Sequence, residues 1–291
     1  MDIQKGIAIL ILAAGLVYAI VILSKIYVGR KDWRSEPGKF AAWMFLESVI
    51  YLLATFGISD FLLNTIAFQK GKVSKDSQIP DNLIACCIVP GCLMAYSFLQ
   101  GKESVEIGTL LLFSLCLIIG STVGSKIVKR LNGSVIRTAM GVGLLLSMVF
   151  VVLKMILSTG VSGGQTELRG WHLVILCVLS TLIGFINMLG VPMKPTATAV
   201  LLILGMSPMA TLTMVIVLGA VTPISGGIRV VKDGNYNKKV VFCAITGGSV
   251  GAIIGTTLAV SIDALFLNII LLITMAVASI SLLRRKENQD I

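Results

Sequence analysis

Long apolar stretches recur along almost the whole chain, and they constrain its fold more than any other feature. A helix needs about 20 mainly apolar residues to cross the hydrocarbon core of a bilayer. Segments of that order follow one another from the first residues to the last. The sequence therefore predicts an all-α polytopic membrane protein whose main surroundings are the lipid bilayer. The hydrophobic segments are residues 6–28, 40–69, 82–99, 105–128, 134–157, 171–205, 208–229, 238–262 and 264–283.

The composition excludes several functional classes. Hydrophobic residues make up 56% of the 291 residues and charged residues 13%, whereas a soluble domain has about 25% charged residues. The net charge of +10 is explained by basic cytoplasmic loops, and no aromatic-basic module predicts nucleic-acid binding. No nucleotide-binding loop, zinc motif or catalytic triad is present, so we expect neither a cofactor nor an enzyme. The six cysteines fall in apolar segments without zinc-ligand spacing.

Two of the hydrophobic segments are too long for one crossing and are interrupted. Segment 40–69 is broken at Phe56-Gly57-Ile58-Ser59-Asp60, and segment 171–205 is broken between Asn187 and Thr196 by two prolines, a glycine and a lysine. Proline removes a helix hydrogen bond and lysine carries a charge, so both are costly in lipid. Broken backbone at membrane depth is tolerated only inside protein or beside a water-filled cavity. The two breaks are therefore the predicted binding site.

Basic residues favour one path of the chain through the membrane. If each long segment enters and returns on the same side as a hairpin, all five basic clusters become cytoplasmic, as the positive-inside rule requires. The N-terminus is then outside the cell membrane and the C-terminus inside. A steeply tilted, kinked single helix is the alternative for each segment. The clusters are Arg30 to Lys39, Lys70 to Lys75, Lys126 to Arg137, Arg229 to Lys239 and Arg284 to Lys286.

The two halves of the chain resemble each other after an extra N-terminal helix. Gly120 and Gly124 in the first half match Gly251 and Gly255 in the second. Gly-x-x-x-Gly spacing has the immediate role of close helix packing. Each half contains a broken segment followed by three spans, so the second copy is inverted, as in many secondary transporters. The predicted units are residues 1–39, repeat 1 at 40–158 and repeat 2 at 159–291.

Short glycine-rich motifs resemble those of the sulfite exporter TauE/SafE family. They are Gly-Ser-x-x-Gly at Gly120 to Gly124 and Gly-Ser-x-Gly-Ala-x-x-Gly at Gly248 to Gly255. The turn beginning at Gly205 and the polar loop from Gly226 to Asn237 are also similar. The resemblance covers about residues 40–284. It implies a transporter of small sulfur-containing or organic anions.

The predicted site combines side chains from both breaks. A half-helix that begins at midplane directs unpaired N–H groups and a partial positive charge into the site, which suits an anion. Lys194 adds a full positive charge, unless it extends to the outer surface. Asp60 could pair with Lys194, carry a coupling proton or cap the next helix, and Glu47 is a second candidate for coupling unless it lies near the interface. The predicted substrate-binding residues are Lys194, Thr196, Thr198, Asn187, Ser59, Asn64, Thr222 and Ser225.

These features predict a secondary transporter for a small anion, working by alternating access with or without proton coupling. An anion channel is the main alternative, because two hairpins that meet at midplane also build pores. An intramembrane enzyme is less well supported, since no matched catalytic set is present. A homo-oligomer is compatible with the sequence.

Overall fold

The computed structural model describes residues 3–29, 36–75, 78–100, 105–128, 165–188 and 193–258, and eight single positions between 138 and 153. This part of the chain is mostly helical and contains no strand. Predicted segment 134–157, apart from those single positions, and predicted segment 264–283 lie outside the described residues. The helices are α1 (Ile3–Val28), α2 (Phe40–Ala54), α3 (Asp60–Gly71), α4 (Ile79–Leu99), α5 (Ile107–Val128), α6 (Trp171–Asn187), α7 (Met193–Ile203), α8 (Pro208–Asp233), α9 (Lys238–Cys243) and α10 (Ser249–Leu258).

Several helices are long and apolar enough to cross a membrane. Among the described residues these are α1, α4, the first 18 residues of α5, and the run from Lys238 to Leu258. Helix α8 becomes a fifth if its 40° bend at residue 225 is counted within one span. Pro223 lies inside α8 just before this bend, where it removes a helix hydrogen bond. The described part of the chain thus confirms a helical protein with several apolar helices that could span a membrane.

The outer surface is apolar, as expected for a protein solvated by lipid. Leu10 on α1 is 70% exposed, Leu115 on α5 is 59% exposed and Val250 on α10 is 53% exposed. The extra N-terminal helix α1 packs against α4, where Gly15 approaches Cys92. Because hydrocarbon does not penalise exposed apolar side chains, these helices need to bury only one face.

Both predicted breaks are present. Helix α2 ends at Ala54 and α3 begins at Asp60, and Gly57 between them has a φ of +87°, a conformation that glycine adopts without strain. The Ser59 hydroxyl accepts a hydrogen bond from Leu62 N at 3.4 Å and so caps α3. In the second long segment, α6 ends at Asn187 and α7 begins at Met193. The sequence thus located both interruptions correctly.

The two ends of each broken segment lie close together in space. The Asn237 side-chain amide donates to Val73 O at 2.8 Å and to Pro37 O at 3.3 Å, which joins the residues that precede α2 to those that follow α3. Similarly, Ser207 N after α7 donates to Gln165 O before α6 at 2.8 Å. Helix α8 runs from Ser207 towards Asn237 over 26 residues, a length of about 39 Å at 1.5 Å per residue. The two broken segments are therefore tied to opposite ends of α8.

The Gln165 end of the molecule is held by short-range polar contacts. The Glu106 carboxylate accepts hydrogen bonds from the backbone N–H groups of Gly108 and Thr109 and from the Thr109 hydroxyl, so it caps the start of α5. These hydrogen bonds, chiefly that of the Thr109 hydroxyl, lower the pKa of Glu106 below its usual value. Leu168 N donates to the Thr109 hydroxyl at 3.3 Å, which attaches the 165–169 segment to α5.

Glycines allow two pairs of helices to touch backbone to backbone. A Cβ added at Gly120 of α5 would lie 1.9 Å from Thr181 O of α6, and one added at Gly251 of α10 would lie 1.9 Å from Ser48 O of α2. In both helices the second glycine of the motif also approaches the partner's backbone, one turn further on. The predicted close-packing role of the Gly-x-x-x-Gly motifs is confirmed. Each contact joins a span of one half of the sequence to the first broken helix of the other half.

Candidate functional site

The two breaks meet in a buried ion pair. Asp60 is the first residue of α3, and Lys194 lies in the first turn of α7. Lys194 Nζ is 2.6 Å from Asp60 Oδ1, and each side chain is only 6% exposed. The pairing that the sequence suggested is confirmed. Extension of Lys194 to the outer surface is wrong because this side chain is buried, and helix capping by Asp60 is wrong because Ser59 supplies the cap.

Helix dipoles and burial explain why the Lys194 ammonium requires the Asp60 carboxylate as a counter-charge. The N-terminus of a helix carries a partial positive charge, which favours the Asp60 carboxylate on α3 and disfavours the Lys194 ammonium on α7. A buried ammonium without a counter-charge is strongly unfavourable. Apart from this ion pair, Lys194 Nζ has no hydrogen-bond acceptor in the described part of the chain. The ammonium group can therefore donate further hydrogen bonds to a bound anion.

A small cavity lies beside the ion pair. The space in it that the centre of a water molecule can occupy is about 20 Å³. A cavity needs about 10–15 Å³ of such space to hold one water. The cavity could hold one water and is too small for a sulfite or carboxylate group. The described residues therefore leave little free space beside the charged pair. The cavity is lined by Ser59, Asp60, Phe61, Asn187, Met193, Lys194, Gly219, Thr222 and Pro223.

The predicted site residues divide into two groups. Five of the ten line the cavity, from four different helices or their flanking residues, and so are brought together. Four of the others do not line it: Asn64 and Glu47 pair with each other, and Thr196 and Thr198 lie further along α7. The side chain of Ser225 lies outside the described structure. The five that line the cavity are Ser59, Asp60, Asn187, Lys194 and Thr222.

Glu47 and Asn64 link the two halves of the first broken segment. Glu47 on α2 is 0% exposed and Asn64 on α3 is 1% exposed. In the orientation of the Asn64 amide that satisfies both groups, its nitrogen lies 3.1 Å and 3.3 Å from the two Glu47 carboxyl oxygens. Tyr51, one turn after Glu47 on α2, is also fully buried. Glu47 is therefore a buried group behind Asp60 and not a side chain exposed at the molecular surface.

Two predicted hydroxyl donors are occupied by their own helices. The Thr198 hydroxyl donates to Lys194 O at 2.8 Å, and the Thr222 hydroxyl donates to Leu218 O at 2.7 Å. Each hydroxyl has one proton, so in this state neither can also donate to an anion. Thr196 is buried but does not line the cavity. In this structure, Lys194 is the cationic donor among the described residues of the cavity wall.

Sequence reasoning missed three of the cavity-lining positions: Phe61, Met193 and Gly219. Gly219 is the most informative, because a Cβ at this position would lie 3.2 Å from Lys194 Cε. Its small size leaves room for the lysine chain. Pro223 stands out in the sequence as a helix interruption, but the position of Gly219 opposite Lys194 depends on how α8 packs against α7.

A larger cavity of about 380 Å³ lies at the Asn237 end, away from the ion pair. Lys72, Lys75 and Glu36 contribute charges to its wall. Burial raises the pKa of Glu36, although hydrogen bonds from the Lys239 backbone oppose this shift. This cavity has mixed charge and contains none of the predicted site residues, so the ion pair remains the better candidate.

Comparisons of the chain with known protein families, characterised proteins and solved structures found no match. The buried Lys194–Asp60 pair, its cavity and the helix breaks around it are therefore the features from which a function can be inferred.

Proposed function

We propose that the protein is a secondary transporter that moves a small anion across the cell membrane by alternating access. The observation that carries this proposal is the Lys194–Asp60 ion pair, formed where the two helix breaks meet and buried from solvent and lipid alike. Ionisable residues within transmembrane regions are costly and commonly mark substrate or ion pathways. Discontinuous helices that meet at midplane are typical of transporter binding sites.

Two re-entrant hairpins in inverted repeats form the core of this proposal. The contact of Asn237 with both Pro37 and Val73 supports a hairpin of α2 and α3 entering from one face. The contact between Ser207 and Gln165 supports a hairpin of α6 and α7 entering from the other. The glycine contacts between the two halves of the sequence support an internal repeat, because α5 packs on α6 in the same way as α10 packs on α2. Relative movement of such repeats would open the site to each side in turn.

An anion suits the site better than a cation. Helices α3 and α7 both begin at the ion pair, so both direct the positive ends of their dipoles there. Lys194 supplies a full positive charge and further donor capacity. Asp60 opposes the binding of an anion only while it is charged. The resemblance to the sulfite exporter TauE/SafE family suggests a sulfite-like, organosulfur or small organic anion.

A carrier is favoured over a channel by the small size of the cavity among the described residues. About 20 Å³ at the ion pair leaves no passage for an anion through the described residues around it. A channel would need a continuous path in its conducting state, whereas a carrier passes through a state closed to both sides. Saturable flux and exchange of labelled anion would support a carrier.

Basic residues support a cytoplasmic position for the Asn237 end. Lys25 Nζ donates to Val231 O at 2.5 Å, and Arg229 pairs with Asp81 at 2.7 Å, which groups both basic residues near the end of α8. The Gln165 end carries Glu106 and a local Arg169–Glu167 pair. By the positive-inside rule, the N-terminus would be outside and the Asn237 end in the cytoplasm.

Uptake into proteoliposomes tests the proposed function. The anions are sulfite, methanesulfonate, isethionate, acetate and lactate, each supplied with an inward gradient. Saturable uptake of at least one anion, competed by a second, is the expected result. Lys194→Met should reduce that uptake at least 100-fold, while Asp81→Asn, which breaks an ion pair far from the site, should retain most of it. Absence of protein-dependent flux for every anion would refute the proposal, as would full activity of Lys194→Met.

A further inference from the structure

The charges of the Lys194–Asp60 pair balance before any substrate binds. Lys194 and Asp60 lie 2.6 Å apart and are both almost fully buried, so the pair is electrically neutral. Adding a monovalent anion to this site would leave one uncompensated negative charge. A buried net charge costs several kcal/mol. The loaded site therefore needs one further positive charge to remain neutral.

Asp60 also occupies the position that an anionic ligand requires. Its carboxylate is in contact with the Lys194 ammonium and lies on the cavity wall. The cavity has room for one water, so a sulfonate or carboxylate group could reach Lys194 only if the Asp60 carboxylate moved away. In effect, Asp60 is a built-in anion that competes with the substrate for the same cation.

We infer that the anion is carried together with one proton, which resides on Asp60 while the substrate replaces its carboxylate on Lys194. This inference rests on the proposed transport function. The proton arrives from the solution on the open side and binds Asp60 Oδ1, which releases Lys194 for the anion. On the other side both leave and the ion pair re-forms. The loaded site and the empty site are then both neutral, so each can cross between the two faces.

The neighbouring groups favour Asp60 over Glu47 as the proton carrier. Glu47 and Tyr51 face this region from α2, Cys87 faces it from α4, and Lys194 faces it from α7. Among the carboxyl groups of the described residues, Asp60 alone both contacts a cation here and lines the cavity. Glu47 is bonded to Asn64 across the break and does not line the cavity. We expect Glu47 to position α3 without exchanging a proton in each cycle.

The choice of substrate makes the test clear. Methanesulfonate is the anion of a strong acid and stays ionised over the working pH range, so any transported proton must be carried by the protein. Wild-type proteoliposomes are loaded with a pH-sensitive dye and given an inward methanesulfonate gradient. We expect the lumen to acidify by one proton for each anion, at a rate that does not change when a potassium diffusion potential is imposed with valinomycin.

Two matched variants assign the proton to a residue. In Asp60→Asn the competing charge is absent, so methanesulfonate should bind at least tenfold more tightly than to wild type at pH 7, with an affinity independent of pH. This variant should exchange labelled anion but neither accumulate it nor move protons, because its empty site carries the unpaired charge of Lys194. Glu47→Gln keeps a partner for Asn64 and should retain proton movement with a wild-type stoichiometry.

Different negative results would refute proton coupling and the proposed transport function. Saturable methanesulfonate flux without acidification, or flux that follows the imposed voltage, would overturn proton coupling and leave the carrier intact. Absence of any flux with the whole anion panel would refute the transport function itself. The wild-type stoichiometry tests proton coupling even if Asp60→Asn does not fold, and Glu47→Gln then tests whether the other buried carboxyl group carries the proton. If Glu47→Gln lost proton movement and Asp60→Asn retained it, the proton would be carried by Glu47 and the inference would be overturned.

Discussion

Breaking the Lys194–Asp60 pair should destabilise the protein much more when one partner is removed than when both are. At the observed separation of 2.6 Å, two unit charges attract by about 6 kcal/mol at an effective dielectric constant of about 20. Desolvation offsets part of this attraction, and removing one member of a buried pair costs about 3–5 kcal/mol because the other charge is left unpaired. Asp60→Asn and Lys194→Met should each show a loss of this size.

The double variant Asp60→Asn with Lys194→Met should recover most of the stability, because it leaves no buried charge. At about 2 °C for each kcal/mol, each single variant should unfold about 6–10 °C below wild type. The assay is thermal unfolding in detergent with a thiol-reactive fluorescent dye, since the four buried cysteines become accessible only on unfolding. These are Cys86, Cys87, Cys92 and Cys243.

Additive losses in the double variant would refute this reasoning, since they would mean that the two charges stabilise the fold independently. Asp81→Asn is the matched control. It breaks the pair between Asp81, whose side chain is 12% exposed, and Arg229, whose side chain is 33% exposed. The charge left behind on Arg229 is partly solvated, so the loss should be smaller than for Asp60→Asn. A control loss as large as that of Asp60→Asn would show that burial is not the cause.

Three further predictions concern packing, helix capping and orientation. Gly120→Ala and Gly251→Ala should each lower the unfolding temperature, because the added methyl group overlaps a backbone oxygen and overpacking costs about 1–3 kcal/mol. Glu106→Gln should lower the free energy of unfolding by about 1 kcal/mol at pH 7. This difference from wild type should shrink as the pH falls below 4.5, the ordinary pKa of glutamate. The reason is that a carboxylate whose pKa is lowered by folding stabilises the folded protein at pH values above its unfolded-state pKa. That stabilisation is lost as the pH falls through the folded-state pKa and the carboxylate is protonated. In whole cells, an impermeant thiol reagent should label Gln165→Cys but not Lys232→Cys, since both positions are exposed and we expect them on opposite faces.

Each of these predictions has a clear contradictory result. Gly91→Ala is the control for packing, since its added Cβ would meet Ala220 at an ordinary 3.4 Å; equal losses at Gly91 and Gly120 would contradict the role of close contact. For the cap, a difference between wild type and Glu106→Gln that persists unchanged in acid would show that the charge is not responsible. External labelling of Lys232→Cys would reverse the proposed orientation.

The sequence could predict the breaks and the glycine contacts because both follow from local chemistry. Gly57, Lys194 and the prolines beside Lys194 are unfavourable in an unbroken helix within lipid, so they mark the interruptions without any knowledge of packing. Likewise, Gly120 and Gly251 are each followed by a glycine one turn later, which creates a flat helix face. Both predictions needed only residue type and spacing.

The finer geometry of the site depends on side-chain directions, which spacing alone does not determine. Asn64 follows Asp60 by about one turn and was expected beside the substrate, but its amide turns towards Glu47 on the other half of the broken segment. Thr198 was expected to donate to an anion, yet its hydroxyl bonds to the carbonyl one turn earlier, as threonine often does within helices. Asp60 was considered as a possible helix cap, but the backbone direction at the start of α3 gives that role to Ser59.

Binding of radiolabelled methanesulfonate to the purified protein tests the central claim most directly, because that claim is that a small anion binds Lys194 where the two breaks meet. Scintillation proximity measurements on wild type, Lys194→Met and the control Asp81→Asn would give the affinity without the need for transport. We expect one saturable site in wild type and in Asp81→Asn, with tighter binding as the pH falls, and no saturable binding in Lys194→Met. Binding to Lys194→Met with the affinity of wild type would contradict the account.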